Sequence, residues 1–274
     1  MLRTRIVDAL NDTTSRMTDH ARFNLGRIRD GVKPFRLHWF PRLGSTNVQA
    51  ALMRREGNLH APAIVLAGRQ TSGRGRGGNT WFSAGGSLTV TFALPIADRI
   101  APHQLPLIAG LAARNAAAEL TADNGVQLKW PNDLLYGGRK LGGLLCERVD
   151  KADLVGLGLN VNLDPADAPP NLVDRMTSLA VVARRSIDLT DALICVARHL
   201  RWMLVDGAER PFAEVLREYD SHHALIGRQV SVVIHNGEPP LTGRVEGLDE
   251  MGRLLLRSRN TLHHIIAGQV QHGY

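Results

Sequence analysis

Cysteine is almost absent from this chain: Cys146 and Cys195 are the only two in 274 residues. They lie far apart in unrelated surroundings, so neither a disulfide framework nor a zinc knuckle is indicated, and both read as reduced, buried thiols. No run approaches the roughly 18 consecutive apolar residues of a membrane span. The first residues carry charge where a signal peptide keeps its apolar core. The expectation is a cytoplasmic protein without membrane contact. Internal repeats and low-complexity tracts are also missing. The pairs His222-His223 and His263-His264 have no further ligands at metal spacing, and adjacent strand positions face opposite ways, so they read as surface histidines.

What the chain does contain is an ordinary apolar fraction, 44%, long enough in total for one large core and a small appended module. The formal charge of +7 first suggests a nucleic-acid binder, but its distribution weakens that idea. Residues 1–42 hold nine arginines and lysines against four aspartates, and the remainder is nearly balanced. Such an arm could meet an acidic partner; a solvated helix face is the favoured reading.

Periodicity gives the organisation. Leu2, Ile6, Ala9, Leu10 and Met17 recur at near-helical spacing and predict an amphipathic helix that ends before Gly31 to Pro34. Strand patterns follow at 37–41, 63–68, 88–94, 126–130, 141–149 and 154–163, with helices at 46–57, 105–122, 190–205 and 212–222. Ser45 or Thr46 is the N-cap of the first of these helices. The Pro-rich stretch 164–175 reads as a long loop, of the kind that often serves as a lid. After Gly227 short strands and Asn236-Gly237 and Met251-Gly252 turns predict a small barrel. The fold class is therefore α+β: a mixed, mostly antiparallel sheet backed by helices (37–223), a C-terminal β-barrel (224–274) and an N-terminal helical extension (1–36).

Three segments carry chemistry. The run Gly73-Arg74-Gly75-Arg76-Gly77-Gly78-Asn79-Thr80-Trp81 sets two arginines among four glycines, so backbone N–H groups and guanidinium forks can close on a phosphate or carboxylate. Lys129-Trp130-Pro131-Asn132-Asp133 and Gly138-Arg139-Lys140-Leu141-Gly142-Gly143 add further charge. Alone, the Gly/Arg run is equally a mobile basic turn or a nucleic-acid contact.

Taken in order with Gly44-Ser45-Thr46-Asn47, Gln70-Thr71-Ser72, Trp81-Phe82-Ser83 and Gly156-Leu157-Gly158-Leu159-Asn160-Val161-Asn162, these segments resemble the biotin–protein ligases over about residues 38–270. The resemblance implies a class II synthetase-like catalytic domain with an SH3-like barrel, ATP and Mg2+ as cofactors, and biotin as substrate. It implies activation of biotin as biotinyl-5'-AMP and transfer to a lysine of a biotin carboxyl carrier protein or domain of a biotin-dependent carboxylase. Arg76, Lys140 and Asp133 are then the catalytic candidates. Ser45, Thr46, Asn47, Gln70, Gly73, Arg74, Gly75, Arg76, Lys140, Gly142, Gly143, Gly156 and Gly158 would line the biotin pocket. Arg76, Trp81, Lys129, Asn132, Lys140 and Asn160 would meet ATP, with Mg2+ carried on its phosphates rather than held by side chains.

Plainer readings stand beside these. Ser45 and Thr46 equally suit a helix cap, the strand glycines suit β-bulges, Asp133 suits an Asx-turn, and Trp130 packs in the core. Asn79 departs from the family pattern, where the loop often has a further arginine. A lipoate-type ligase shares the architecture but would offer no partner to Gln70 or Ser45. A bifunctional ligase and repressor would need a winged helix of roughly 60 residues, and about 36 precede the match, so DNA binding is not expected. The residues leave monomer or homodimer open.

Overall fold

The computed structural model describes residues 23–83, 85–206, 210–234 and 238–272. The helix expected over residues 2–17 and the Asn236-Gly237 turn lie outside them. Among the described residues the α-helices are α1 (Leu25–Gly31), α2 (Thr46–Arg55), α3 (Leu105–Thr121), α4 (Leu179–Ala183), α5 (Leu189–Arg201) and α6 (Phe212–Ser221). Seven strands, β1 (Arg36–Leu43), β2 (Ala63–Gln70), β3 (Ser87–Pro95), β4 (Gln127–Lys129), β5 (Asp133–Tyr136), β6 (Arg139–Val149) and β7 (Ala152–Asn160), form one sheet in the order β1-β2-β3-β7-β6-β5-β4. β1 and β2 run parallel, joined by α2 as a crossover, and the other pairs are antiparallel.

Alternation along the central strands separates two faces. Leu88, Val90 and Phe92 of β3 share one face with Val155, Leu157 and Leu159 of β7, and they pack under α3 and α5 in the main core. This core also takes Ile28, Val32 and Phe35, so the stretch around α1 belongs to the same packed body. The opposite face carries Ala63 and Val65, Ala93 and Leu154, covered by Ala50 of α2 in a second, smaller cluster. Since α2 spans only ten residues, it covers part of that face. The uncovered part is where the candidate site lies.

Three local features differ from the pattern expected of the sequence. Asp133 opens a strand, β5, which turns through Gly137 and Gly138, both at positive φ, into β6; four residues are too few to show a period. The 164–175 segment holds two 3₁₀ turns, Pro165–Asp167 and Val173–Arg175, and is pinned to the sheet by the Thr177 N–H donating to the Lys140 carbonyl at 3.0 Å. His223 is buried rather than on the surface, beside Leu128 in a parallel bridge, with Nδ1 3.5 Å from Asp220. Of the cysteines, Cys195 is buried and Cys146 only half-buried.

The C-terminal strands β8 (Gln229–Val233), β9 (Leu241–Leu248), β10 (Leu254–Ser258), β11 (Thr261–Ile265) and β12 (Gln269–His272) form an antiparallel sheet in the order β11-β10-β9-β8-β12. A barrel closed by hydrogen bonds would need a β11–β12 ladder, and none exists among the described residues; the expected barrel is an open five-stranded sheet. It docks through the turn before β10. Gly252, at φ +82°, approaches Leu107 so closely that a Cβ would lie 2.6 Å from its Cδ1, and Trp130 Nε1 donates to the Gly252 carbonyl at 3.2 Å. No helix among the described residues is long and apolar enough to cross a membrane.

Candidate functional site

The register places a row of small residues across the uncovered face: Ala67, Thr89, Gly158 and Gly143 are successive neighbours on β2, β3, β7 and β6, followed by Asp133 and Lys129 on β5 and β4. The next row contains Val65, Thr91, Gly156 and Leu145. Glycine at three of these places hollows the sheet. A Cβ at Gly156 would overlap the Asn47 amide, one at Gly158 would overlap the Trp81 indole, and one at Gly143 would lie 3.2 Å from Asp133 Oδ1 and 3.3 Å from Lys140 Nζ. These glycines therefore admit functional side chains, which is a steric role and not that of bulges. Gly142 pairs with Leu159 on the other face, so of the adjacent glycines only Gly143 opens onto the site.

The α2 N-terminus points into this hollow. Ser45 is the N-cap, yet its side chain makes no capping bond. Gln70 does that work: its Oε1 accepts from the Thr46 N–H at 2.7 Å and the Thr46 hydroxyl at 3.1 Å. This satisfies one orphan donor of the first turn and leaves the Gln70 amide nitrogen turned toward Gly73, whose Cβ would lie 3.2 Å from it. Asn47 is fully engaged. It donates to the Leu145 carbonyl at 3.0 Å and to Glu147 Oε2 at 2.8 Å, and accepts from the Thr91 hydroxyl at 2.6 Å.

The Gly/Arg segment is a small ordered hairpin. Trp81 N–H donates to Gly73 O, Gly75 N–H donates to Asn79 O, and Arg74 bridges Thr80. Asn79 supplies a further clasp, its side chain donating to the Arg76 carbonyl at 2.9 Å. Together with Leu145 and Glu147, residues 72–80 line a cleft of about 460 Å³. Within it Arg74 is exposed and Arg76 half-buried.

Opposite the loop lies a cluster of alternating charge. Lys140 Nζ donates to Asp133 Oδ1 at 2.7 Å and stands 5.7 Å from the centre of the Trp81 ring. Arg76 Nη1 reaches Asn132 Oδ1 at 3.4 Å, while Asn132 Nδ2 donates to the Leu144 carbonyl at 2.7 Å. Desolvation lowers the pKa of both Arg76 and Lys129, and the nearby Asp133 charge opposes the shift. With less water around them, positive charges at these two positions attract an anion more strongly than on an open surface.

Asn160 behaves differently from a ligand-facing residue. It is fully buried, its amide nitrogen donates to Thr177 O at 3.0 Å, and its Oδ1 has no partner. In this geometry it ties the 164–178 segment to β7. Trp130 is in the core, and Trp81 is half-buried with its indole nitrogen unpartnered. Pattern reading missed Thr91, Leu145 and Glu147 as neighbours of the site. The alternation of Thr89 and Thr91 with apolar residues held that signal for the threonines; nothing local marks Glu147.

A hollowed sheet face, a helix N-terminus and a cationic cluster beneath a Gly/Arg hairpin form a pocket suited to an anionic ligand, and comparison with known proteins gives the family. Residues 39–164 match the biotin/lipoate A/B protein ligase family and residues 225–273 the biotin protein ligase C-terminal domain. The bifunctional ligase/repressor BirA of Bacillus subtilis is 31% identical over 229 residues, 79% of this chain and 68% of that protein. The biotin–[acetyl-CoA-carboxylase] ligase of Mycobacterium tuberculosis is 29% identical over 238 residues, 84% and 86% of the two chains. The solved biotin protein ligase of Aquifex aeolicus, in complex with biotin and ATP, superposes with a TM-score of 0.76 at 30% identity, covering 86% of this chain and 97% of that one. The chain belongs to the biotin protein ligase family.

Proposed function

We propose that this protein joins biotin to the AMP moiety of ATP and passes the biotinyl group to a lysine on the carrier domain of a biotin-dependent carboxylase. The observation that carries this reading is the Lys140–Asp133 pair standing in the space left by Gly143, with Arg76 arriving from the loop. In the first step the biotin carboxylate attacks the α-phosphorus and pyrophosphate leaves. Two anions must meet, so positive groups have to stand on both sides of the junction. Lys140 provides one side and Arg76 the other, with Asp133 holding the ammonium in place.

Gln70, its carbonyl already committed to α2, offers its N–H2 to the ureido oxygen of biotin, and the Ser45 hydroxyl, free of capping, adds an adaptable partner. Thr46 and Asn47 shape the pocket through their bonds to Gln70, Thr91 and Glu147. Trp81 and Lys129 stand toward the nucleotide. Asn132 and Asp133 hold the cations Arg76 and Lys140 in place, and Mg2+ would come in on the ATP phosphates. That ion supplies charge neutralisation for the departing pyrophosphate.

In the second step the acceptor amine attacks the acyl carbon, a C–N bond forms and AMP leaves. The acyl adenylate is water-sensitive, and the 73–81 hairpin covers it, with Gly73 allowing the strands to close. The 164–178 segment, which packs on Phe82, would be a second cover. We further propose a catalytic unit ending near His223 and a C-terminal unit over 224–274, in a protein of the cytoplasm, where the free thiols of Cys146 and Cys195 suit a reducing environment. With ATP, Mg2+ and biotin, the purified protein should exchange labelled pyrophosphate into ATP only when biotin is present, and should label a carrier lysine. Absence of exchange ends this reading; equal activity with lipoate transfers it to the lipoate ligases.

A further inference from the structure

The cleft beneath the hairpin contains one charged group of the wrong sign for an anionic ligand. Of the ionisable side chains lining it, Arg74 and Arg76 suit anions, while Glu147 on the opposite wall does not. A carboxylate there repels the biotin carboxylate and the phosphates alike. The remaining reactant of a ligase of this kind is a cation, the acceptor's lysine.

We propose that Glu147 receives the ammonium group of the acceptor lysine at the mouth of the cleft, from which the amine, having lost its proton to solvent, reaches the acyl adenylate, an inference that rests on the function proposed above. Its placement supports this. Asn47 holds Glu147 Oε2 at 2.8 Å and is itself fixed by the Thr91 hydroxyl and the Leu145 carbonyl. The carboxylate is therefore aimed while its second oxygen, among the described residues, accepts no hydrogen bond. Nor does a described cation lie within salt-bridge distance, whereas Asp133 is already committed to Lys140. Glu147 is also exposed. β5 pairs with β6 only as far as Gly143, so Leu145 and Glu147 border a side of the sheet that is open to an approaching chain.

The test compares two nucleophiles on the full-length protein supplied with preformed biotinyl-adenylate: a purified carrier domain, whose lysine is charged, and hydroxylamine, which is neutral at the assay pH. Glu147→Gln keeps an acceptor for Asn47 and removes the charge. Its carrier-to-hydroxylamine rate ratio should fall about tenfold through a raised KM for the carrier, as loss of a rim charge pair predicts. Glu147→Lys should lower the ratio further, and added salt should narrow the gap between wild type and Glu147→Gln. An unaltered ratio overturns the proposal, whether both rates fall, which would make Glu147 a brace for Asn47, or neither does. Failure of the wild type in pyrophosphate exchange would instead remove the ligase reading itself.

Discussion

At the scale of single residues the site depends on side chains that occupy the volume of missing ones. Gly158 lies beneath the Trp81 indole, and a valine there cannot fit without expelling the ring, at a cost of about 1–3 kcal/mol for overpacking. Gly158→Val should therefore raise the KM for biotin by about tenfold or more and disturb Trp81 fluorescence; a variant with wild-type biotin affinity would contradict this packing. Arg76 has a separate task. Bonded to Asn132 from a clasped hairpin, it would retain the charged adenylate in the reaction proposed above. Arg76→Ala should release biotinyl-AMP about ten- to a hundredfold faster, from the loss of charge-assisted bonds, and label bystander proteins. Retention as tight as in wild type, measured by filter binding, would remove this role. Asn79 answers the question its identity raises: in place of another cation the loop gains an amide that closes its own turn.

Among the elements, the α3–α5 seam shows how charge outside the site holds the scaffold. Glu119 of α3 accepts from Arg198 at 2.5 Å and contacts His199 Nε2 at 3.0 Å, both on α5. These hydrogen bonds lower its pKa from 4.5 to about 2. A depressed carboxylate contributes stability above its unfolded pKa and loses it as pH falls through the folded value. The melting temperature of wild type should accordingly exceed that of Glu119→Gln at pH 5, with the margin closing between about pH 4.5 and 2. A margin unchanged at pH 3 would assign the difference to something else. Of this pair, α5 was readable from the spacing of Leu193, Val196 and Leu200, which form one buried apolar stripe, and α3 from its run of Ala and Leu, which is buried on nearly every side. α4 and β5, at five and four residues, were not, because so short a segment holds too little periodicity to register.

For the whole molecule, the relation between body and C-terminal sheet turns on one loop. Trp130, within the motif that also carries Asn132 and Asp133, donates to Gly252, so the carboxyl-terminal sheet is tied to the segment that positions the Lys140 partner. Gly252→Val introduces a side chain where the backbone is left-handed and Leu107 and Phe212 already touch. It should split a single calorimetric transition into two and reduce carrier labelling by about tenfold. One cooperative transition with full activity would show that this contact does not couple the two units.

The amino-acid sequence by itself determined the sheet-and-helix alternation, the small C-terminal β module and the ordered motifs that disclose the family, because each is written in local periodicity or in runs of adjacent residues. Tertiary structure alone decided which glycines open the site and which close the core, that Gln70 rather than Ser45 caps α2, and that His223 is buried. It also brought Glu147, 100 residues from Asn47, into the cleft. Most of these outcomes depend on register between strands distant in the chain, and a one-residue shift in pairing would turn the strand side chains among them to the other face.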